Sequence, residues 1–233
     1  ILCMNLPYTV SEMVNIAVEV VERSGFTEDL YIRPVAYKSA QKVANLNLKS
    51  LEDDFFVLAI PFGKYIESEG AIHCCTSHWR RMDDTMMPPR VKLAGVYVNS
   101  ILAKTEATMA GFDEAIILNQ DGHVCEGSGE NLFIVDNGRL ITPILEDNVL
   151  PGITRDTVIH LAQNELGLEV LERHIDRSQI YVADECFLTG TAAEVIPCVE
   201  VDHRAVGSGM PGDLTKRFIL CFREKVAVDG VMI

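Results

Sequence analysis

A glycine-rich turn between two apolar segments constrains this chain more than any other stretch. Glu126-Gly-Ser-Gly-Glu-Asn-Leu-Phe133 follows Val124-Cys125 and runs directly into a second apolar segment. Leu150-Pro-Gly-Ile-Thr-Arg155 comes next and is typical of a loop that enters a helix, since proline is favoured in a helix's first turn. The sequence therefore predicts strand, turn, strand and helix entry, with an acidic residue at the turn.

The remaining elements are read from apolar periodicity and from turn residues. Helices are predicted at 11–24, 98–110, 152–166 and 214–228. Strands are predicted at 30–37, 55–60, 72–76, 114–118, 132–135, 139–142, 169–173, 185–189 and 195–201. Because helices and strands do not alternate regularly, we expect an α+β fold or a mixed barrel rather than a doubly wound sheet.

A polar connector divides the predicted elements into two groups. Arg80 to Arg90 contains two prolines, two aspartates and three arginines. Such a segment favours a boundary between domains. We therefore predict a small α/β domain over residues 1–84 and a larger, barrel-like domain with helices over residues 85–233. The polar segment from Lys38 to Asp53 is predicted to be a mobile loop.

Composition excludes several classes of protein. The net charge of −14 argues against a nucleic-acid or anionic-membrane surface, and no apolar run is long enough to span a bilayer. Seven cysteines without repeated C-x-x-C pairs favour reduced thiols in the cytoplasm. His73-Cys-Cys-Thr-Ser-His78 is more typical of a packed strand than of a metal site, so no metal is expected. Since the chain begins at Ile1, we expect an N-terminal part to be missing.

Two residues could carry covalent and electrostatic chemistry. Lys92 lies among small and apolar neighbours, and a lysine partly removed from water is the nucleophile that forms imines. An ordinary surface lysine is the alternative on local evidence alone. Glu126 could face a pyridine nitrogen and keep it protonated, which makes the ring a stronger electron sink. A plain turn glutamate is the alternative.

Three further segments could bind anions. Backbone N–H groups at 152–154 are free at a helix start, where the dipole favours a phosphate. The turn Thr189-Gly-Thr-Ala-Ala193 offers N–H groups and a hydroxyl. Tyr31 and Arg33, two residues apart on one strand face, could bind a carboxylate or form a cross-strand ion pair. An imine-forming lysine, a ring-facing acid and a phosphate site together point to pyridoxal phosphate (PLP) chemistry.

At these residues the chain resembles the fold-type IV PLP enzymes, and most closely the branched-chain amino acid aminotransferases. Glu126-x-Ser-x-x-Asn-Leu-Phe133, Leu140-x-Thr142 and Leu150-x-Gly-Ile-x-Arg155 match the family signature in full. Tyr97-Val-Asn-Ser100, the segment 189–194 and Pro211-Gly-Asp-Leu-Thr-Lys216 extend the resemblance over 30–226. The match to the signature is specific.

The resemblance implies a role for each matching residue. Lys92 resembles the lysine that forms the Schiff base and shuttles protons, Glu126 the partner of the ring nitrogen, and Tyr97 the partner of the phenolic oxygen. Contacts to the phosphate are implied for Ile153, Thr154 and Thr191, and contacts to the substrate for Ala192, Ala193, Tyr31, Arg33, Phe62 and Tyr65. Phe62 stands where many relatives have tryptophan, and the segment 38–53 lacks a Gly-Val-Asn-Pro run, so substrate choice departs most from the family pattern.

The implied reaction is transamination of leucine, isoleucine and valine with 2-oxoglutarate, giving the 2-oxo acids and glutamate. D-amino acid transamination and aminodeoxychorismate lysis on the same fold are the alternatives, together with a non-catalytic ligand-binding relative. The resemblance also implies a homo-oligomer, a dimer or a hexamer, whose partners are small molecules and not nucleic acids or membranes.

Overall fold

In the computed structural model, residues 1–39, 43–63 and 70–229 are described. The chain divides into two units, Ile1–Tyr65 and Ile66–Gly230. The boundary predicted after residue 84 differs from this division. The strand at residues 72–80 belongs to the second unit because its hydrogen bonds go to strands that follow it in the chain, and local patterns do not show such pairing.

Within its described residues, the first unit contains one α-helix, a two-stranded sheet and a short 3-10 helix. Helix α1 (Val10–Ser24) begins with a capping box, in which Thr9 and Glu12 satisfy each other's backbone N–H groups, and ends at Gly25 with φ +68°. Strand β1 (Leu30–Ser39) pairs antiparallel with β2 (Glu52–Pro61), with Tyr31 opposite Ile60. The strands extend into the predicted loop at 38–53, which also contains a 3-10 helix at Leu48–Ser50. The loop is therefore shorter than predicted.

The second unit contains nine strands and four α-helices within the described residues. The strands are β3 (Ile72–Arg80), β4 (Glu114–Leu118), β5 (Val124–Glu126), β6 (Asn131–Asp136), β7 (Arg139–Thr142), β8 (Val170–Glu172), β9 (Glu185–Gly190), β10 (Glu194–Val201) and β11 (Arg204–Ala205). The helices are α2 (Tyr97–Met109), α3 (Ile153–Asn164), α4 (Arg177–Tyr181) and α5 (Asp213–Asp229). None of the described helices is long and apolar enough to cross a lipid bilayer.

Six of these strands close into a ring. The order β10-β3-β4-β5-β6 forms one path, and β9 pairs with both β6 and β10. Strand β3 is parallel to β4 and to β10, whereas the other pairs in the ring are antiparallel. Strands β7, β8 and β11 extend the sheet beyond the ring. The predicted α+β class with a mixed barrel is confirmed.

Two clusters of the core lie on opposite faces of β6, and a third, smaller cluster contains Ala103, Ala107, Ala115 and Ile117. Leu132 and Ile134 belong to a cluster with Ile72, Ile116 and Leu188. Phe133 and Val135 belong to a second cluster, which packs against α3 and α5. Phe133 stacks on Phe187 with ring centroids 5.1 Å apart, and Phe218 of α5 lies 5.4 Å from Phe187. Both faces of β6 are buried, and its residues 132–135 are accordingly all apolar. Burial of each of the three phenylalanine rings contributes about 1.5–3 kcal/mol to stability.

The cysteine-rich segment at 73–78 lies within β3. Cys74 is fully buried, and its sulfur lies 3.3 Å from that of Cys198. All seven cysteines are free thiols. Among the described residues, no group of three or more His, Cys, Asp or Glu side chains is placed to hold a metal ion. Cys74 and Cys198 therefore act as packing residues between neighbouring parallel strands.

Candidate active site

Glu126 is the last residue of β5 and is almost completely buried. Its Oε1 lies 2.5 Å from an Arg81 guanidinium nitrogen. Its Oε2 accepts hydrogen bonds from Asn131 Nδ2 at 3.0 Å and from the Leu150 N–H at 3.1 Å. Every one of these partners is a donor, which is the environment that favours a carboxylate over a carboxylic acid.

Opposing effects act on the pKa of Glu126. Burial raises this pKa above its ordinary value, because a charged carboxylate is costly away from water. Arg81 opposes that effect most strongly, followed by the Leu150 N–H and by Lys92 and Arg155. The protonation state of Glu126 therefore depends on Arg81 more than on any other side chain.

Arg81 is a residue of the candidate site that the sequence did not reveal. It directly follows β3, where its N–H donates to Leu118 O at 2.9 Å and its carbonyl accepts from Gln120 at 3.2 Å. The guanidinium also lies 3.4 Å from Ser100 Oγ and 3.5 Å from the Asn148 carbonyl oxygen. Sequence patterns placed Arg81 in a polar connector, and only the pairing of β3 with β4 brings it to Glu126.

Asn131 links Glu126 to the segment that enters α3 through two hydrogen bonds. Its Nδ2 donates to Leu150 O at 2.9 Å as well as to Glu126. A Cβ added to Gly152 would lie 2.1 Å from Asn131 Oδ1, so the close approach requires glycine at this position. The helix therefore begins directly beside the residue that holds Glu126.

The N-terminus of α3 fits an anion. Gly152 is its N-cap, and no side chain caps it. The first-turn N–H groups of Ile153 and Thr154 are therefore available, and the helix dipole favours negative charge beside them. Thr154 is buried and Ile153 is exposed. Arg155 does not face this end, since it bonds Pro143 O at 3.0 Å and Glu172 at 2.7 Å.

The turn at 190–193 lies close to the turn that follows Glu126. Asn131 pairs with Thr189 across β6 and β9. A Cβ added to Gly190 would lie 3.5 Å from both Glu130 Cγ and Gly129 O. Thr191 is exposed, and Ala192 and Ala193 are half-buried. The structure thus brings the predicted segments at 126–131, 152–154 and 189–193 together around Asn131.

Lys92 and Tyr97 share a cleft with Glu126. The cleft is lined by Arg81, Val91, Lys92, Leu93, Val96, Tyr97, Ser100, Glu126, Ser128, Gly129, Glu130, Asn131 and Leu150. Lys92 Nζ lies 5.5 Å from the centroid of the Tyr97 ring. Lys92 is exposed, so the predicted partial burial is wrong. Lys92 lies in an irregular segment just before a 3-10 helix at Ala94–Val96, and its small and apolar sequence neighbours do not bury it.

The substrate residues predicted from the first sheet lie together within the first unit. The Arg33 guanidinium carbon lies 5.1 Å from the centroid of the Tyr31 ring, which confirms their shared strand face. The rings of Tyr31 and Phe62 have centroids 5.1 Å apart. Tyr65 lies outside the described residues.

Comparisons with known proteins identify the family of this chain. The profile of the family described as Amino-transferase class IV matches residues 1–201. The probable branched-chain-amino-acid aminotransferase of Aquifex aeolicus is 50% identical over 216 residues, which cover 93% of this chain and 69% of that protein. The branched-chain-amino-acid aminotransferase of Escherichia coli strain K12 is 37% identical over 217 residues, covering 92% of this chain and 70% of that protein.

A solved structure shows the same fold. The branched-chain aminotransferase of Thermoproteus uzoniensis, solved with norvaline, superposes with a TM-score of 0.89 at 47% identity. The match covers 96% of this chain and 73% of that chain. The profile match, the sequence identities and the shared fold agree with one another, and the chain therefore belongs to the class IV aminotransferase family, among the branched-chain-amino-acid aminotransferases.

Proposed function

We propose that this protein transfers amino groups from L-leucine, L-isoleucine and L-valine to 2-oxoglutarate with PLP as its cofactor. The observation that carries the proposal is the buried Glu126, surrounded by donors, in one cleft with Lys92 and Tyr97. This cleft combines a primary amine, a phenol and a carboxylate beside an uncapped helix N-terminus. These are the groups that PLP chemistry requires of a protein.

The residues present fit the cofactor. The free N-terminus of α3 suits a phosphate, and Ile153 and Thr154 would hold it through N–H groups, with the hydroxyl of Thr191 as a further donor. Glu126 would hold a proton at the ring nitrogen and Tyr97 would donate to the phenolic oxygen. When bound, PLP supplies a carbon that amines attack and a ring that delocalises negative charge.

The other proposed roles belong to the chain's own residues. Lys92 would anchor the cofactor through its amine and then move the substrate's Cα proton, as base and as acid. The N–H groups of Ala192 and Ala193 would bind the substrate α-carboxylate. Tyr31, Phe62 and Tyr65 are the proposed contacts to the apolar side chain, and Arg33 to the second carboxylate of 2-oxoglutarate. The relatives' names and the residue-by-residue resemblance support these assignments.

Lys92→Ala tests the proposal, with the exposed Lys216→Ala as its matched control. We expect turnover of L-leucine with 2-oxoglutarate to fall by at least about 10⁴-fold in Lys92→Ala and to stay unchanged in Lys216→Ala. Circular dichroism should show that both variants fold. Near-normal turnover in Lys92→Ala would remove the lysine from the mechanism.

A substrate panel separates the alternatives on the same fold. The visible absorption of the PLP-loaded protein should change on addition of L-leucine and return on addition of 2-oxoglutarate. A spectrum that responds only to D-amino acids would move the function to the D-specific reaction. A spectrum that responds to neither enantiomer would favour the lyase or a ligand-binding relative.

We also propose a cytoplasmic homo-oligomer. The free thiols of buried Cys74 and Cys198, only 3.3 Å apart, are expected in a reducing compartment. Val98, Ile101 and Leu102 are exposed on one side of α2, and such a stripe suits burial against a second copy. Light scattering on the purified protein should give a mass of at least twice 25.8 kDa. A monomer at micromolar concentration would contradict this proposal.

A further inference from the structure

We infer that Arg81 is a positioning residue, which keeps Glu126 ionised and leaves one lone pair of its Oε1 free to accept from the cofactor's ring nitrogen. The inference rests on the proposed function, because the ring nitrogen is the cofactor's. It deepens that function by assigning control of the ring's protonation to a residue outside the signature segments.

The lone pairs of the Glu126 carboxylate can be assigned to their donors. An ionised carboxylate offers about four acceptor sites, two on each oxygen. Asn131 and the Leu150 N–H occupy the two sites on Oε2. Arg81 occupies one site on Oε1 at 2.5 Å. One site on Oε1 is left for a ring N–H, so Arg81 and the ring nitrogen share an oxygen.

Arg81 also supplies a positive charge in direct contact with Glu126. Glu126 and Arg81 are both more than nine-tenths buried, so little water is present to stabilise either charge alone. After Arg81, the charged side chains with the largest effects on Glu126 are Lys92, from the cleft lining, and Arg155, from α3. Arg155 is already bonded to Glu172 and Lys92 is exposed, so neither replaces Arg81 at contact distance. Without Arg81, the effect of burial on Glu126 would be less opposed, and its protonated form would be favoured.

The protonation state of Glu126 affects the reaction through the ring nitrogen. A protonated Glu126 has an O–H that donates, and it no longer favours a proton on the ring nitrogen. A neutral ring is a weaker electron sink, so removal of the substrate's Cα proton slows. Arg81 thus acts on the reaction through Glu126, without touching substrate or cofactor.

The backbone contacts of Arg81 show why its guanidinium stays in place. Its N–H and C=O groups bond to Leu118 and Gln120 at the end of β4, and Ser100 Oγ and the Asn148 carbonyl flank the side chain. The side chain is therefore held on several sides before any ligand arrives. This preorganisation distinguishes a positioning residue from a mobile counter-ion.

The first test uses the protein without cofactor and reads the protonation state of Glu126 directly. Infrared spectra at pH 7 are compared for wild type, Arg81→Met, Arg81→Lys and the surface control Arg139→Met. We expect a carboxylic-acid C=O band only in Arg81→Met, and it should vanish in the double variant Arg81→Met with Glu126→Gln. A band of that origin in wild type, or none in a folded Arg81→Met, would overturn the inference.

The second test uses the PLP-loaded protein. The chemical shift of ¹⁵N-labelled ring nitrogen should report a protonated ring in wild type, Arg81→Lys and Arg139→Met, and a neutral ring in Arg81→Met at pH 7. Turnover of L-leucine by Arg81→Met should be about 100-fold lower at pH 7. Because loss of Arg81 raises the pKa of Glu126, this turnover should recover as pH rises and the carboxyl ionises again. A pH-independent loss would indicate a structural role alone.

Failure of this inference is distinguishable from failure of the proposed function. If wild type does not transaminate L-leucine, the proposed function fails, yet the infrared comparison still decides whether Arg81 ionises Glu126. If Arg81→Met does not fold, Arg81→Lys decides the question: it retains the charge, so it should keep Glu126 ionised, and a protonated Glu126 in it would overturn the inference.

Discussion

The two units of the chain differ in how their side chains are held. None of the described residues of the first unit is fully buried, whereas the buried apolar core lies between Ile72 and Phe222 in the second. A helix on a two-stranded sheet fixes side chains weakly, and a closed ring of strands fixes them firmly. We therefore expect residues of the second unit to determine the type of reaction and residues of the first unit to influence the choice of substrate.

Glu126→Gln, in the firmly held unit, should lower activity more than any change in the first unit. The amide keeps the size of the side chain but loses the charge that holds a proton on the ring nitrogen. We expect kcat for L-leucine to fall about 10²- to 10³-fold while PLP still binds. Loss of deuterium from α-deuterated leucine measures the affected step. If deuterium were lost at an unchanged rate, Glu126 would not be needed to keep the ring an effective electron sink.

Gly152→Ala and Gly63→Ala compare the same change in the two units. At Gly152 the new methyl would push Asn131 away from Glu126, whereas a Cβ at Gly63 would meet no atom within 4 Å. We expect Gly152→Ala to lower the free energy of unfolding by about 1–3 kcal/mol and to weaken PLP binding. Gly63→Ala should stay within about 0.5 kcal/mol of wild type.

Urea titration and fluorescence-monitored PLP binding measure both quantities. Equal losses at Gly152 and Gly63 would mean that the two units hold their backbones equally firmly. That result would contradict the view that the second unit is held more firmly than the first.

Arg33→Ala, in the open unit, should have a smaller and more selective effect. Loss of one charge-assisted contact is worth about 1.5 kcal/mol, or roughly tenfold. We expect KM for 2-oxoglutarate to rise about tenfold, with KM for L-leucine changing less and stability not at all. Steady-state kinetics with both substrates provide the check. Equal changes in the two KM values would remove Arg33 from dicarboxylate recognition.

Thiol reactivity compares the two units without any change in sequence or activity. Burial raises the pKa of Cys75, in the second unit, to about 11, so roughly one molecule in a thousand carries that thiolate at pH 8. Cys3, in the first unit, is exposed. We expect iodoacetamide at pH 8 to label Cys3 first, as mapped by peptide mass spectrometry. Faster labelling of Cys75 would show that the ring of strands opens more readily than its burial suggests.

Local sequence patterns are sufficient to predict most helices and strands and part of the candidate site. Apolar periodicity located the main helices and strands to within a few residues, because the same side chains that form each element also bury it. Strand β3 runs four residues beyond its predicted end at Thr76, to Arg80, because polar His78 and Arg80 end the apolar pattern but not the pairing. Glu126 and the α3 entry were predicted from one continuous segment.

Contacts between distant segments were not predictable from those patterns. The link between Arg81 and Glu126 depends on β3 lying beside β4, and no local pattern encodes that neighbour. The exposure of Lys92 was missed for a similar reason, since small neighbours in sequence do not imply neighbours in space. Gly152 could be predicted to start a helix, but its approach to Asn131 follows from where β6 places that side chain.

The parallel pairing of β3 with β10 also bears on how the chain is made. Val201 lies beside Cys74, although more than half of the chain separates them. During synthesis β3 emerges early, and one of its edges stays unpaired until β10 has left the ribosome. Unpaired edges beside apolar side chains are where nascent chains associate wrongly. We therefore expect newly made chains to need a chaperone at this edge, and translation pauses before residue 194 to lower the yield of soluble protein.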